Sequence, residues 1–167
     1  GMIDRYVEDL ESRIDPAVET QLVSEWQEFV AGGFRGDIFS PSRSRQSPSS
    51  IDWPQVRVNE ALEDYERMAL QQLAGCSSAL GNGAGCPLAV RCNYGSSILP
   101  SLFGVDLFIM DDVMNTLPTS CPITDGEDGI RALLDAGIPD FQSGFGGRTL
   151  EMGQRLVDLF ADYPAMQ

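Results

Sequence analysis

The chain has no histidine and no lysine; all 11 of its basic residues are arginines. The first absence removes every nucleophile system built on a Ser-His or Cys-His pair. The second leaves acid–base work to carboxylates and tyrosine, because a guanidinium keeps its proton near neutral pH. What arginine does well is grip a carboxylate or phosphate through two parallel hydrogen bonds. No apolar run approaches the roughly 20 residues that cross a bilayer, and no signal-peptide pattern opens the chain. No membrane partner is expected, and a cytoplasmic location is the default. The four cysteines, Cys76, Cys86, Cys92 and Cys121, form no CxxC pair. Their irregular spacing and the missing histidines do not make a zinc site. A disulfide scaffold does not suit a chain with this much apolar material. They read as reduced, mostly buried thiols, with no metal and no cofactor expected. Positive charge is scarce as well: 25 acidic residues give a net charge of -14. That balance opposes phosphate backbones and anionic lipid, so nucleic acid is excluded as a partner.

What is present suits one compact domain of 167 residues with a core of its own. Gly1 ahead of Met2 reads as a remnant of expression and is set aside. Residues 2–58 read as a helical hairpin and a long loop; residues 59–167 read as a partial β/α unit. Ile3, Tyr6, Val7, Leu10 and Ile14 recur at helical spacing, which predicts a helix over Ile3–Arg13. Asp15 and Pro16 suit the cap and first position of a second helix, with Leu22, Val23, Trp26, Phe29 and Val30 on its apolar face and Gly32-Gly33 as its stop. Phe34 to Pro54 has no period. Its Ser/Pro-rich middle, with Arg43 and Arg45, reads either as a solvated mobile loop or as an arm that meets an anionic ligand or an acidic neighbour. Asn59 is expected to cap the longest helix, from Glu60 to about Leu80. The glycines from Gly81 to Gly85 precede a strand rather than follow one, so they are not a dinucleotide-binding turn.

Two short apolar runs organise the rest, Leu88–Cys92 and Val105–Met110. Runs of this length between turn residues predict parallel strands buried on both faces, with ligands gathering beyond their carboxyl ends. Arg91, Asn93, Tyr94, Asp111 and Asp112 fall there. The same residues also suit a plain turn and a solvated, charged edge. Asp111, Asp112 and Asn115 offer oxygen ligands, though three are few for Mg²⁺ or Ca²⁺. A short helix is expected over Ser96–Phe103. Thr124-Asp-Gly-Glu127 reads as a capping box opening a helix that Gly137 stops. Gly144, Gly146 and Gly147 read as a loop before the last helix, which begins at Arg148 or Thr149; its amides could hold an anion or simply make a tight connection.

At Val90-Arg-Cys-Asn-Tyr-Gly95 and Phe103-Gly-Val-Asp-Leu-Phe-Ile-Met-Asp-Asp112 the chain resembles the uroporphyrinogen decarboxylase superfamily, which includes relatives of the cobalamin-dependent methyltransferases. The likeness continues loosely through Asn115-Thr-Leu-Pro118 and Gly129-Ile-Arg-Ala-Leu-Leu-Asp-Ala-Gly137 to Tyr163-Pro164. It covers the first part of such a protein. The resemblance implies an α/β fold: N-terminal helices followed by an abbreviated, mostly parallel β/α part like the start of a TIM barrel. It implies decarboxylase-like, lyase chemistry in full-length relatives, by decarboxylation or methyl transfer. Asp112 stands at the family's catalytic aspartate and Asp111 at the serine that precedes it. Arg91 stands on the strand that carries the family's carboxylate-binding arginines, with Asn93 and Tyr94 beside it to orient substrate. The ligand implied is a small carboxylated or tetrapyrrole-like molecule. A closed barrel needs about 250 residues, so a truncated or short relative is expected, inactive alone. Its unpaired sheet edges would favour a homo-oligomer, most simply a dimer. The alternative is a non-catalytic binding or assembly module that self-associates.

Overall fold

A computed structural model describes residues 2–166. The chain is α/β and mainly helical. Among the described residues it has seven α-helices and one two-stranded sheet. By contacts it divides into two units, one of residues 2–55, 69–90 and 159–166, the other of residues 56–68 and 91–158.

The first unit opens with the expected hairpin. Helix α1 spans Asp4–Arg13 and α2 spans Pro16–Val30. The Asp15 carboxylate accepts from the Ala17 amide at 3.0 Å, supplying the N-cap that the orphan amides of a first turn require. Gly32, with φ +74°, ends α2 in the left-handed region. Val7 and Leu10 of α1 are fully buried against Leu73, Cys76 and Leu80 of α4, which spans Tyr65–Asn82. Trp53, Leu88, Val90, Phe160 and Tyr163 pack around this cluster. Burial of each such leucine contributes about 2 kcal/mol.

The segment from Phe34 to Pro54 is irregular, as expected, but it is tied down at several points. The Arg43 amide donates to the Gly83 carbonyl at 3.0 Å and the Ser47 amide to Leu80 at 2.8 Å. Phe39 stacks on Phe29 with ring centroids 4.1 Å apart and meets Trp26 edge-on. Gly85 shows how closely the backbones approach: a Cβ there would lie 1.9 Å from the Pro41 carbonyl oxygen. Its glycine is therefore a packing requirement, where the sequence alone suggests only a loose connection.

In the second unit the expected long helix is two. Helix α3 spans Val58–Glu63, and α4 restarts at Tyr65. Asp64 between them is extended (φ -130°, ψ 126°), and its carboxylate accepts from the Arg67 amide at 2.8 Å. An aspartate that can cap a new first turn competes with helix continuation, so the break needs neither glycine nor proline. Helix α5 is short, Ile98–Leu102. Strand β1 is only Leu107–Phe108 and pairs antiparallel with β2, Thr119–Ser120. The expected parallel pair does not form: Leu88–Cys92 is not a strand, and Val105–Met110 contributes two residues to an antiparallel ladder. The physical reason is burial. Phe108 and Ile109 are exposed, so the run is not covered on both faces as a parallel strand is. Helix α6 spans Gly126–Ala136 and stops at Gly137 (φ +75°) as expected. Helix α7 spans Gly144–Phe160, beginning earlier than its glycines suggest. Gly146 sits inside it because a Cβ would come within 2.1 Å of the Phe141 carbonyl oxygen and 2.4 Å of the Leu102 side chain.

Candidate functional site

β1 runs out into a turn that carries both aspartates. The Met114 amide donates to the Asp111 carbonyl at 2.9 Å and the Asn115 amide to Asp112 at 3.2 Å, with Asn115 at φ 45°. Both carboxylates face solvent. Asn59, in the first turn of α3, is not the helix cap the sequence suggests. Its amide donates to the Asp112 carboxylate at 2.7 Å and to the Met110 carbonyl at 2.9 Å. The Asn115 carboxamide oxygen in turn accepts from the Val58 amide at 2.8 Å. Among the described residues, Asp112 is thus fixed at one oxygen and open at the other, while Asp111 has no side-chain partner. Asn115, offered by the sequence as a cation ligand, has its oxygen already engaged. Among the described residues no group of three or more His, Cys, Asp or Glu is placed to hold a metal ion.

The other sequence-chosen residues lie differently. Arg91 is exposed, and no hydrogen bond or ion pair joins it to either aspartate among the described residues. Asn93 is half-buried. Tyr94 is buried and packs on Phe145, ring centroids 5.3 Å apart. Burial, reinforced by the nearby Tyr65 phenol, pushes its hydroxyl up to about 12. Tyr94 therefore keeps its proton at neutral pH and acts as a packing residue. The amides at the start of α7 are spoken for too: Phe145 donates to the Ser101 hydroxyl at 2.9 Å and Gly146 to the Ser143 carbonyl at 2.9 Å. That use favours the tight connection over an anion cradle.

No family model, curated protein or solved structure matches this chain. The chemistry of its surface therefore carries the functional argument, and the most unusual part of that surface is α6. Ile130, Leu133 and Leu134 follow the i, i+3, i+4 spacing of an apolar stripe. A helix of that kind ordinarily buries its stripe, yet α6 buries no residue at all. Leu134 is 75% exposed and Ile130 51%. The flanking residues continue the pattern: Ile123, Ile138 and Phe141 are exposed as well.

Two polar clusters escape sequence reasoning. Arg43 does not reach outward. Its guanidinium, almost wholly buried, grips both oxygens of Glu19 at 2.7 and 2.8 Å and also binds the carbonyls of Ala84 and Cys86. The Glu19 carboxylate bonded to it raises the Arg43 pKa further. Among the described residues Arg45 makes only a largely exposed pair with Asp15 at 3.3 Å. Arg13 joins Asp9 at 2.7 Å, the Ser77 hydroxyl at 2.7 Å and the Ser47 carbonyl at 2.8 Å, and Trp53 and Ser49 complete the set around Asp9. Only the Asp9–Arg13 spacing, one helical turn, is visible beforehand.

Proposed function

We propose that this chain is a non-catalytic assembly module of the cytoplasm that self-associates, most simply as a dimer, through the apolar face of α6. The observation that carries this reading is the apolar stripe of α6, on which Ile130 and Leu134 are exposed and Leu133 is only half-buried. An amphipathic helix with no buried residue gains nothing from its own fold, because helices owe most of their stability to a packed apolar face. Two copies related by a two-fold axis would lay stripe on stripe, each burying the same patch. Ile123, Ile138 and Phe141 would extend the contact toward the roughly 1,000 Å² that a specific interface needs. Of the charges on α6, Arg131 pairs with Glu127 at 2.6 Å, which leaves Asp128 and Asp135 as a repulsion that the apolar contact must outweigh. Light scattering across a concentration series tests the proposal. The expected result is a mass that rises from one copy to two, with α6 amides gaining exchange protection as it does. A constant monomer mass at every concentration contradicts it.

A second reading keeps the chain as a short relative of the uroporphyrinogen decarboxylase type, carrying the opening β/α part of a barrel. Residues 87–92 favour it: they alternate exposed and half-buried along the sequence, as a strand lacking its neighbours would. In that reading Asp112, held by Asn59, is the catalytic carboxylate with Asp111 beside it. Arg91 and Asn93 serve a small carboxylated or tetrapyrrole-like ligand, Tyr94 contributes only as buried packing behind that site, and the chain alone is inactive. A tetrapyrrole-induced rise in melting temperature, lost in Asp112→Asn, supports this reading; no rise with any tetrapyrrole removes it.

A further inference from the structure

Segment 87–90 follows α4 and runs over the core of the first unit. Leu88 and Val90 are half-buried and pack on the Val7, Leu10 and Leu73 cluster, while Pro87 and Ala89 are exposed. That alternation is the period of an extended strand, yet among the described residues no strand pairs with it. Among the described residues the amides of Leu88, Ala89 and Val90 donate to no protein acceptor, and the carbonyls of Leu88 and Val90 accept from no donor. The Ala89 carbonyl accepts from the Cys76 thiol at 3.5 Å. Backbone groups left this way are a template for another extended chain.

The segment forms one wall of a groove of about 410 Å³ whose other walls include Ile14, Val23, Phe160 and Met166. Among the described residues Glu19 is the one charged residue lining it, and Arg43 neutralises that carboxylate in a two-oxygen grip. Along α2 the groove adjoins a shelf that shares Pro16 and Thr20 with it and carries Glu25 and Glu28. Neither glutamate has an ion-pair partner among the described residues.

We infer that this groove takes an extended peptide, paired backbone to backbone with residues 88–90, with apolar side chains at alternate positions and an arginine or lysine meeting Glu25 and Glu28. The unpaired backbone selects an extended ligand, the apolar walls select its alternate side chains, and the acidic shelf selects its charge. A second copy fits poorly here. A two-fold contact sets each patch against itself, which would bring two acidic shelves together. This site is separate from the α6 face and does not depend on self-association.

The test uses the full chain and a fluorescein-labelled octapeptide alternating valine and threonine, with two arginines at one terminus, made in both orders. Fluorescence anisotropy is expected to show saturable binding by one order. Hydrogen exchange is expected to show new protection at the Leu88, Ala89 and Val90 amides. Methylating alternate backbone nitrogens of the peptide should abolish binding. The double variant Glu25→Lys/Glu28→Lys, on the exposed side of α2, should weaken it about fivefold at low salt. Failure of both peptides to bind overturns the inference. So does equal binding by the methylated peptide, protection elsewhere, or protection that grows with protein concentration in the absence of peptide, which would make the occupant a second copy.

Discussion

At the scale of single residues, Arg43 acts as a rivet rather than a reaching arm. Its buried fork ties α2, through Glu19, to the carbonyls of Ala84 and Cys86. Replacing it with methionine strands a partly buried carboxylate. Arg43→Met should therefore cost about 3 kcal/mol in urea unfolding. Adding Glu19→Gln should recover part of that loss, because much of the penalty is the unpaired charge. Tyr94 makes a pH prediction. Its phenol sits at about 12 against an ordinary 10.0, with burial as the main cause. Between those values the folded state holds a proton that the unfolded chain has released, so stability is intact below about pH 10 and falls as pH rises toward 12. Burial raises the Cys76 and Cys92 thiols in the same sense. Tyr94→Phe should flatten the loss of stability between about pH 10 and 12 without moving the portion below it. Unfolding curves at matched pH steps measure this directly; an unchanged slope refutes it.

At the scale of elements, the helix ends show what the sequence can and cannot announce. Asp15-Pro16 and Gly32 mark α2 because cap and stop chemistry are local. Asp64 breaks the next helix by the same cap chemistry, but nothing in a run of good helix formers says that the cap wins. Asp64→Ala should cost about 1 kcal/mol. Gly85 and Gly146 look like loop residues because glycine reports a need without naming it. Here the need is contact with Pro41, distant in the chain, for Gly85, and with the Phe141 carbonyl and the distant Leu102 for Gly146. Gly85→Ala should destabilise by more than about 2 kcal/mol, since a backbone carbonyl has to move to admit the methyl. In contrast, Gly137→Ala meets open space and pays only for a backbone conformation (φ 75°, ψ -152°) that is nearly glycine-only, about 2 kcal/mol. The strands were the least legible elements. An apolar run such as Val105–Met110 says that something will cover it, but not what, and here Phe108 and Ile109 are left uncovered. The candidate site was half legible. Asp111 and Asp112 could be chosen as turn residues at a strand end, whereas the hold of Asn59 on Asp112 spans 53 residues and exists only in the fold.

At the scale of the whole molecule, composition and surface pull in opposite directions. A net charge of -14 keeps copies apart, while in the proposed dimer the exposed residues of α6 would draw them together. Salt should shift the balance, because it screens the long-range repulsion and leaves apolar burial intact. Association should therefore strengthen as sodium chloride is raised, the reverse of a contact built on ion pairs. Sedimentation velocity on the native chain and on Leu134→Glu, across concentration at low and high salt, reads the central claim most directly. Leu134 is already exposed, so the variant should fold as the parent does. A salt-enhanced dimer of the native chain that Leu134→Glu reduces to monomer is the predicted result. A native chain that sediments as monomer under all conditions, or a dimer indifferent to Leu134→Glu, would contradict the assignment of α6 as the assembly face.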